Sequence, residues 1–329
     1  MRILRIRHSL MWIKDQNKSK NKGIMNQPLV TILTAPKPFI DPHIITIQNN
    51  ALQSWKALGD RVDIVVLGND EGIKEAVQPL GISHHPEVVC NEKGTPLISS
   101  MLEIGRDASR SPFLAIVNTD IILFPDFVQA IKDVSIQKKE FLIVGQRWDM
   151  DLQNKIGKSN SSFIDLKKRV LFEAKMHPPT GSDYFIFPRS CYQTIPDLTI
   201  GRAGWDNWFI YKSRWEGWSI VDGTHSVVIV HQTHDYAHLP GGQPHYRLPE
   251  TRQNVIMGGG EHTIFSLYDA QFDLIDGKLI RKNRTTKKLL RELEIFPLSK
   301  KRSQFLGKLF FYLFHPKKGY AAIRKWAKN

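Results

Sequence analysis

Short apolar runs alternate with longer amphipathic segments through the first half of the chain. Residues 29–34, 62–67 and 113–117 are brief, apolar and rich in β-branched side chains, which is typical of buried strands. The intervening segments, among them residues 44–58 and 97–109, carry apolar residues at helical spacing. Strand and helix in turn indicate an α/β fold with a mostly parallel sheet, because parallel strands need crossovers and are covered on both faces.

A short segment that breaks the strand pattern follows each of the three predicted strands. Ala35 and Pro36 follow the first, and Asp70 follows the second after a Gly-Asn step. Asn118-Thr119-Asp120 interrupts an apolar run that resumes as Ile-Ile-Leu and then reaches a proline. Ligands of such sheets bind at the carboxyl ends of the strands, so one crevice is expected to contain all three groups. A simple turn explains the tripeptide and Asp70 as an alternative, since Asn and Asp favour turns.

The second half is rich in tryptophan, histidine and acids that lie beside glycine. It contains "GSDY" before an apolar strand, "GRAGWDNW", and a late apolar run at 227–230 that is followed by His231 and His234. No repeat or linker separates the two halves. We therefore expect one domain over residues 29–275, with a basic arm at 1–28 and a basic amphipathic extension at 276–329.

Composition narrows the class of protein. The 329 residues include 41% hydrophobic and 24% charged residues, enough apolar material for a full core. The two cysteines, Cys90 and Cys191, form no disulfide framework and no zinc-ligand spacing, which favours a reducing compartment. The sequence has no apolar stretch of about 20 residues and no cleavable leader pattern. We expect a cytoplasmic protein that does not span a membrane.

The positive charge is concentrated at the two ends of the chain. Residues 1–28 hold 7 Lys and Arg against 1 Asp, and residues 281–329 hold 15 against 2 Glu. The middle is slightly acidic, so nucleic acid is an unlikely partner. The aromatic stretch at 305–314 lies among the basic residues and predicts contact with an anionic membrane surface, peripheral on its inner face. Packing of this stretch back on the domain is the alternative, and contact of the tail with RNA or DNA is a weaker third one.

The order of these motifs resembles that of GT-A-fold, family-2-like glycosyltransferases. The matching features are an N-x-D tripeptide after a strand, the following "IILFPDF", a later "GWDNW" similar to the family's acidic G-W-x-x-E-D element, and a histidine after a late strand. The resemblance covers roughly residues 29–275. It implies a Rossmann-type mixed, mostly parallel sheet flanked by helices, a nucleotide-sugar donor, a glycan or lipid-linked hydroxyl acceptor, and a divalent metal, Mn²⁺ or Mg²⁺.

The resemblance also assigns roles to individual residues. Asp120 matches the metal-binding acid, and Asn118 replaces the first aspartate with an amide that adds no charge, which leaves metal dependence open. His231 matches the family's metal-binding histidine, and His234 is its main competitor. The residues expected at the nucleotide-sugar are Ala35, Pro36, Asp70, Asn118, Thr119 and Asp120.

For the catalytic base, the resemblance favours Asp206. In inverting members, an acid at the start of the acceptor-side helix deprotonates the attacking hydroxyl, while the metal offsets charge on the leaving group. Asp183 is a rival, either as the base or as a contact to the donor sugar. Trp205 and Trp208 are expected to stack against the acceptor sugar. A purely structural role for Asp206, as a helix N-cap, stays open.

Three functions follow from these residues. The first is an inverting, metal-assisted transfer of a hexose to a hydroxyl acceptor. The second is a retaining transferase or a sugar nucleotidyltransferase, in which Asp206 is dispensable as a base. The third is a catalytically inactive GT-A-like protein that binds glycans or is tethered to a membrane. Asn118 and Asn207 suggest it, because the family often has acids at these positions.

Overall fold

A computed structural model of the protein describes residues 27–157, 159–234 and 247–326. The basic arm predicted for residues 1–28 therefore lies almost wholly outside the described residues. The first half contains, in chain order, β1 (Val30–Thr34), α1 (Pro42–Lys56), β2 (Val62–Leu67), α2 (Ile73–Val77), β3 (Ser83–His85), α3 (Ile98–Ala108), β4 (Phe113–Val117), β5 (Ile121–Leu123) and α4 (Asp126–Ser135).

The second half continues with short strands and ends in three helices. Its elements are β6 (Phe141–Val144), β7 (Trp148–Met150), α5 (Asn160–Glu173), β8 (Lys175–Met176), β9 (Tyr184–Pro188), α6 (Trp205–Glu216), β10 (Ser219–Asp222), β11 (Ile229–Gln232), α7 (Pro249–Met257), β12 (Phe272–Ile275), β13 (Lys278–Arg281), α8 (Thr286–Ser299), α9 (Gln304–Phe314) and α10 (Pro316–Trp326).

A nine-stranded sheet forms the centre of the protein. Its strand order is β13-β12-β10-β6-β9-β4-β1-β2-β3, and the pairs are parallel except those made by β9 and β13. Both faces are covered: Leu33 of β1 packs in one apolar cluster and its neighbour Ile32 in another. The predicted α/β fold, a largely parallel sheet flanked by helices, is confirmed.

A second, smaller sheet stands at the carboxyl edge of the large one, in the order β5-β11-β7-β8. The interrupted apolar run supplies strands to both sheets: β4 belongs to the large one and β5 to the small one. Asn118-Thr119-Asp120 is the connection, and the Ile121 N–H closes it by donating to the Asn118 carbonyl at 3.1 Å. The polar tripeptide thus marks the point where the chain leaves the main sheet.

Helix α1 follows the predicted pattern. Its buried side includes Ile47, Ala51 and Trp55, and Asp41 caps its N-terminus by accepting from two backbone N–H groups. The Trp55 Nε1–H donates to the Ile121 carbonyl at 2.8 Å, which ties the helix to the start of β5. Helix α2 is short and ends at Val77. Pro79 has no N–H to extend it, and a 3₁₀ turn takes over after α2.

The C-terminal helices pack on the body of the protein. Strand β13 pairs with β12, α8 packs against α6, and α9 packs against α8. Arg214 of α6, almost fully buried, binds the Glu292 carboxylate of α8 with both terminal nitrogens, at 3.0 and 2.5 Å. In the part of the chain that the structure describes, no helix combines the length and apolarity that crossing a membrane requires.

Candidate active site and metal centre

The ends of β1 and β4 are joined at the floor of the site. The Thr34 and Thr119 hydroxyls form a buried hydrogen bond of 2.7 Å. Beyond Thr34, the main chain of Lys37 is held on both sides by the Gln48 amide, at 2.7 and 2.9 Å. Ala35 and Pro36 therefore lie on a fixed loop at the edge where the Asn118–Asp120 connection begins.

Asp70 follows β2, the neighbour of β1 on the side away from β4. Partial burial raises the pKa of its carboxyl, and partial burial together with the Asp70 charge raises the pKa of the Cys90 thiol. It lies at the predicted edge of the sheet, two strands from Asp120. A role for Ala35, Pro36 and Asp70 in binding a nucleotide stays a prediction.

Asp120, His231 and His234 form a cluster of metal-ligating groups. One ligand atom from each residue lies within 4.8 Å of the other two. Asp120 Oδ2 is 3.1 Å from His234 Nε2 and 3.8 Å from His231 Nε2. The second oxygen, Asp120 Oδ1, is buried and has no hydrogen-bond partner among the described residues. A buried carboxylate oxygen without a partner, beside two imidazoles, fits a divalent cation.

The charge state of Asp120 also suits a cation. Burial alone would raise the pKa of the Asp120 carboxyl, but the His234 hydrogen bond and the positive charges of His231 and Lys37 hold it well below its usual range. Asp120 is therefore an anion at neutral pH. Lys37 Nζ lies 3.0 Å from His234 Nε2, so its ammonium would compete with a metal ion for this part of the site.

A second carboxylate orients His231. Asp149 Oδ1 lies 3.1 Å from His231 Nδ1, and β11 and β7 pair these two residues in register. Because Nδ1 is hydrogen-bonded to Asp149, Nε2 is the nitrogen that faces Asp120. Burial lowers the pKa of His231, but the Asp149 hydrogen bond and the Asp120 charge outweigh it, and the net shift is upward. A carboxylate behind a histidine fixes its tautomer and strengthens it as a metal ligand.

Asp149 and Asp183 are held together by Arg147. The guanidinium donates to Asp149 Oδ1 at 2.9 Å and to Asp183 Oδ2 at 2.7 Å, and His177 Nδ1 lies 2.8 Å from the other Asp149 oxygen. Asp183 Oδ1 accepts from the Asn118 amide at 2.9 Å. Both oxygens of Asp183 are thus engaged, which suits a positioning role better than proton transfer.

Asp206 lies in the first turn of α6. The N-cap is Gly204, with φ of 106°, so the N-cap role considered for Asp206 is wrong. Asp206 Oδ1 accepts instead from the Gly204 N–H at 2.9 Å. Burial raises the pKa of its carboxyl, and the Asp183 charge raises it further, against the lowering by backbone N–H groups. A carboxylate with a raised pKa, near a second acid, is suited to accept a proton.

The two tryptophans belong to the core. Trp205 and Trp208 are 5% and 6% exposed, and their rings lie 5.7 and 5.6 Å from that of Phe209. Stacking against an acceptor sugar would need an exposed face of the indole ring. The structure therefore places these side chains beneath α6 rather than on the wall of the crevice.

Sequence reasoning missed part of this network. Four of its charged or titratable residues were not predicted as site residues: Lys37, Arg147, Asp149 and His177. The signal available was position: "GQRWDM" follows β6 and so begins at the same carboxyl edge of the sheet. His177 is brought in by the pairing of β7 with β8, which no local pattern indicates.

Comparisons with known proteins find similarity in fold alone. No protein-family model matches the chain, and no curated protein sequence matches it. Among solved structures, glucosyl-3-phosphoglycerate synthase from Mycobacterium tuberculosis, in complex with phosphoglyceric acid, is 13% identical, with a TM-score of 0.43 over 70% of this chain and 79% of that one. A mannosyltransferase from Pyrobaculum calidifontis, in complex with GDP-Man and Mn²⁺, is 12% identical, with a TM-score of 0.39 over 70% of this chain and 64% of that one.

Proposed function

We propose that the protein is a metal-assisted glycosyltransferase that moves a sugar from a nucleotide-sugar donor to a hydroxyl group of a glycan or lipid-linked acceptor. The observation that carries the proposal is the Asp120 carboxylate, whose Oδ1 has no hydrogen-bond partner among the described residues, beside His231 and His234 at the carboxyl edge of a largely parallel sheet. This edge is where ligands of α/β sheets bind. Asp206 supplies a second, separate acid near it.

The donor is expected to lie across the ends of β1 and β4. Ala35, Pro36 and Thr119 belong to the loops at these ends, and Asp70 would accept a hydrogen bond from a base N–H. Asp120, His231 and His234 would hold the metal, and two imidazoles beside one carboxylate favour Mn²⁺ over Mg²⁺, which prefers oxygen ligands. When bound, the ion would offset negative charge on the diphosphate leaving group.

The acceptor hydroxyl is expected to approach Asp206. Its raised pKa keeps the carboxylate basic enough to take a proton from a hydroxyl, and the first turn of α6 fixes its position. Asp183, bound to Arg147 and Asn118, lies close enough to raise the Asp206 pKa and serves to hold the floor of the site. A separate base on the acceptor side corresponds to an inverting reaction.

Calorimetry with a panel of nucleotide sugars tests the proposal. Wild type, Asp120→Ala and the control Asp151→Ala, which removes an exposed acid, are titrated with and without Mn²⁺. We expect one donor to bind with Mn²⁺, the binding to be lost in Asp120→Ala, and the control to behave as wild type. Slow hydrolysis of the same donor, also lost in Asp120→Ala, would establish catalysis.

Other outcomes separate the alternatives. Failure of every donor to bind with and without Mn²⁺ would contradict the proposal. Metal-independent binding of a sugar, without hydrolysis or transfer, would identify a glycan-binding protein. Full activity of Asp206→Asn, with retention at the anomeric carbon by nuclear magnetic resonance, would indicate a retaining transferase, and release of diphosphate from a nucleoside triphosphate would indicate a nucleotidyltransferase.

A further inference from the structure

Helices α8 and α9 expose an unusual number of large apolar side chains. Eight leucine and phenylalanine residues on these two helices are between 38% and 79% exposed: Leu289, Leu290, Leu293, Phe296, Phe305, Leu306, Leu309 and Leu313. We call this set the apolar face. Single exposed apolar residues are ordinary on a protein surface, but a group of this size marks a site of interaction.

The apolar face lies on the side of each helix that points away from the core. At 100° per residue, Leu289, Leu293 and Phe296 share one side of α8, while the buried Ile295 and Leu298 lie opposite. The same holds for α9. Phe305, Leu309 and Leu313 follow one another at four-residue spacing, on the side opposite the buried Gly307 and Phe311. Both helices are therefore apolar on two sides, and only one side is used by the fold.

Specific contacts fix this orientation. The Arg214 guanidinium of α6 binds the Glu292 carboxylate of α8. The Tyr211 hydroxyl of α6 accepts from the Gln304 amide of α9, and Arg302 between the two helices donates to the Trp215 carbonyl at 3.1 Å. Both helices are thus tied to α6, and the side chains that make these contacts do not belong to the apolar face.

Basic residues accompany the apolar face. The exposed lysines and arginines of this region are Lys300, Lys301, Arg302, Lys308, Lys317, Lys318 and Arg324. The acids of residues 281–329 are Glu292 and Glu294, and each is paired with an arginine, Arg214 and Arg291 respectively. The charge available to a partner is therefore strongly positive.

We propose that the apolar face docks on a bilayer of anionic lipids. Its leucine and phenylalanine side chains enter the boundary between headgroups and acyl chains, while the lysines and arginines contact the lipid phosphates. Neither contribution alone gives stable anchoring to a surface, and this region supplies both. The proposal does not depend on the reaction proposed above; if both hold, docking brings the site to a surface that contains lipid-linked acceptors.

The positive charge of this region argues against other partners for the apolar face. Residues 1–26 of this chain hold 7 Lys and Arg against 1 Asp, and would repel the basic region rather than cover it. A second copy of the chain would bring the same positive charge to the same face. Nucleic acid would satisfy the charge but leave the leucines and phenylalanines in water.

Vesicle flotation tests the docking. The purified chain is mixed with vesicles of phosphatidylcholine alone or of phosphatidylcholine and phosphatidylglycerol in equal parts. We expect binding to the anionic vesicles at least tenfold tighter, and weaker in high salt. A Phe305→Ser, Leu309→Ser, Leu313→Ser variant should lose at least tenfold in affinity, and a Lys300→Gln, Lys308→Gln variant about fivefold per lysine.

A matched control changes exposed apolar residues elsewhere. Ile136 and Phe172 are 84% and 68% exposed, and the Ile136→Ser, Phe172→Ser variant should bind like wild type. Thermal melting and light scattering on every variant report folding and oligomeric state. Absence of binding to anionic vesicles overturns the proposal, as does equal binding by the Phe305→Ser triple variant while it remains folded. A dimer that this variant disrupts would assign the face to a second copy.

Discussion

The Asn118 amide donates a hydrogen bond of 2.9 Å to Asp183 Oδ1, and Arg147 donates to the other oxygen of that carboxylate at 2.7 Å. The resemblance to GT-A enzymes implies an acid at position 118, and the contact explains why an amide suits this chain. A carboxylate there would face a second carboxylate across hydrogen-bond distance. The amide at position 118 is thus matched to the carboxylate of Asp183.

Replacing this amide by an acid should therefore destabilise the protein. Asn118→Asp loses the donor and sets two negative charges against each other, and we expect a loss of about 1–3 kcal/mol in the free energy of unfolding. Urea denaturation measures it. Asn69→Asp, at an exposed position after β2, is the matched control and should change little. Equal stability of the two variants would contradict the role assigned to Asn118.

Metal binding should raise the melting temperature of wild type. A ligand that binds only the folded state stabilises by about 2.7 kcal/mol at 100 times its Kd. We expect Mn²⁺ to raise the melting temperature of wild type and of Asp151→Asn, but not of Asp120→Asn. The same increase in Asp120→Asn would place the metal elsewhere.

Asp149 should tune the metal site through His231 without binding the ion itself. Asp149→Asn keeps the shape but weakens the acceptor behind His231 Nδ1, and the Mn²⁺ affinity should fall about 10- to 100-fold. Calorimetric titration of Mn²⁺ into the purified variant measures this loss independently of activity. An unchanged affinity would show that Asp149 serves only to hold Arg147 and His177.

Lys37 is expected to oppose the metal. Its ammonium lies 3.0 Å from His234 Nε2, so Lys37→Met removes a competing positive charge and should strengthen Mn²⁺ binding. Calorimetry of the variant beside Lys74→Met, a lysine on α2, gives the comparison. Weaker Mn²⁺ binding in Lys37→Met than in the control would rule out this competition.

Asp206 should carry the proton transfer. Asp206→Asn is expected to lower kcat about 10²- to 10⁴-fold while donor binding by calorimetry stays intact. The base acts only when ionised, so the wild-type rate should fall as pH decreases through the pKa of Asp206, which burial raises above its ordinary value. A pH profile of kcat/KM without this acidic limb, or a fully active variant, would exclude Asp206 as the base.

Sequence patterns predicted the parallel part of the fold well. Strand β2 has the predicted bounds, because a buried parallel strand reads as a continuous apolar run that turn residues end. The same logic located Asp120, because an acid that ends a buried strand in this fold lies at the ligand edge. Asp206 lies at the start of a helix as predicted, whereas His231, expected after a strand, lies within β11.

Other features have no local signature. Strand β9 enters antiparallel between β4 and β6, and this pairing is what brings Asp183 beside Asn118, 65 residues earlier in the chain. The local sequence around Trp205 and Trp208 would be the same whether their side chains faced a crevice or the core. Their burial was decided by the aromatic residues of β9 and α6, which pack on them.

By itself, the sequence determined which segments form strands and helices and which acids and histidines end them, because periodicity and turn chemistry act over a few residues. Only the tertiary structure decided which charges face one another. Arg147 between Asp149 and Asp183, and Asp149 behind His231, depend on the order of strands and on register, which are set by packing across the whole sheet. Which charged groups interact depends on their distance in space, and this distance cannot be inferred from their separation along the chain.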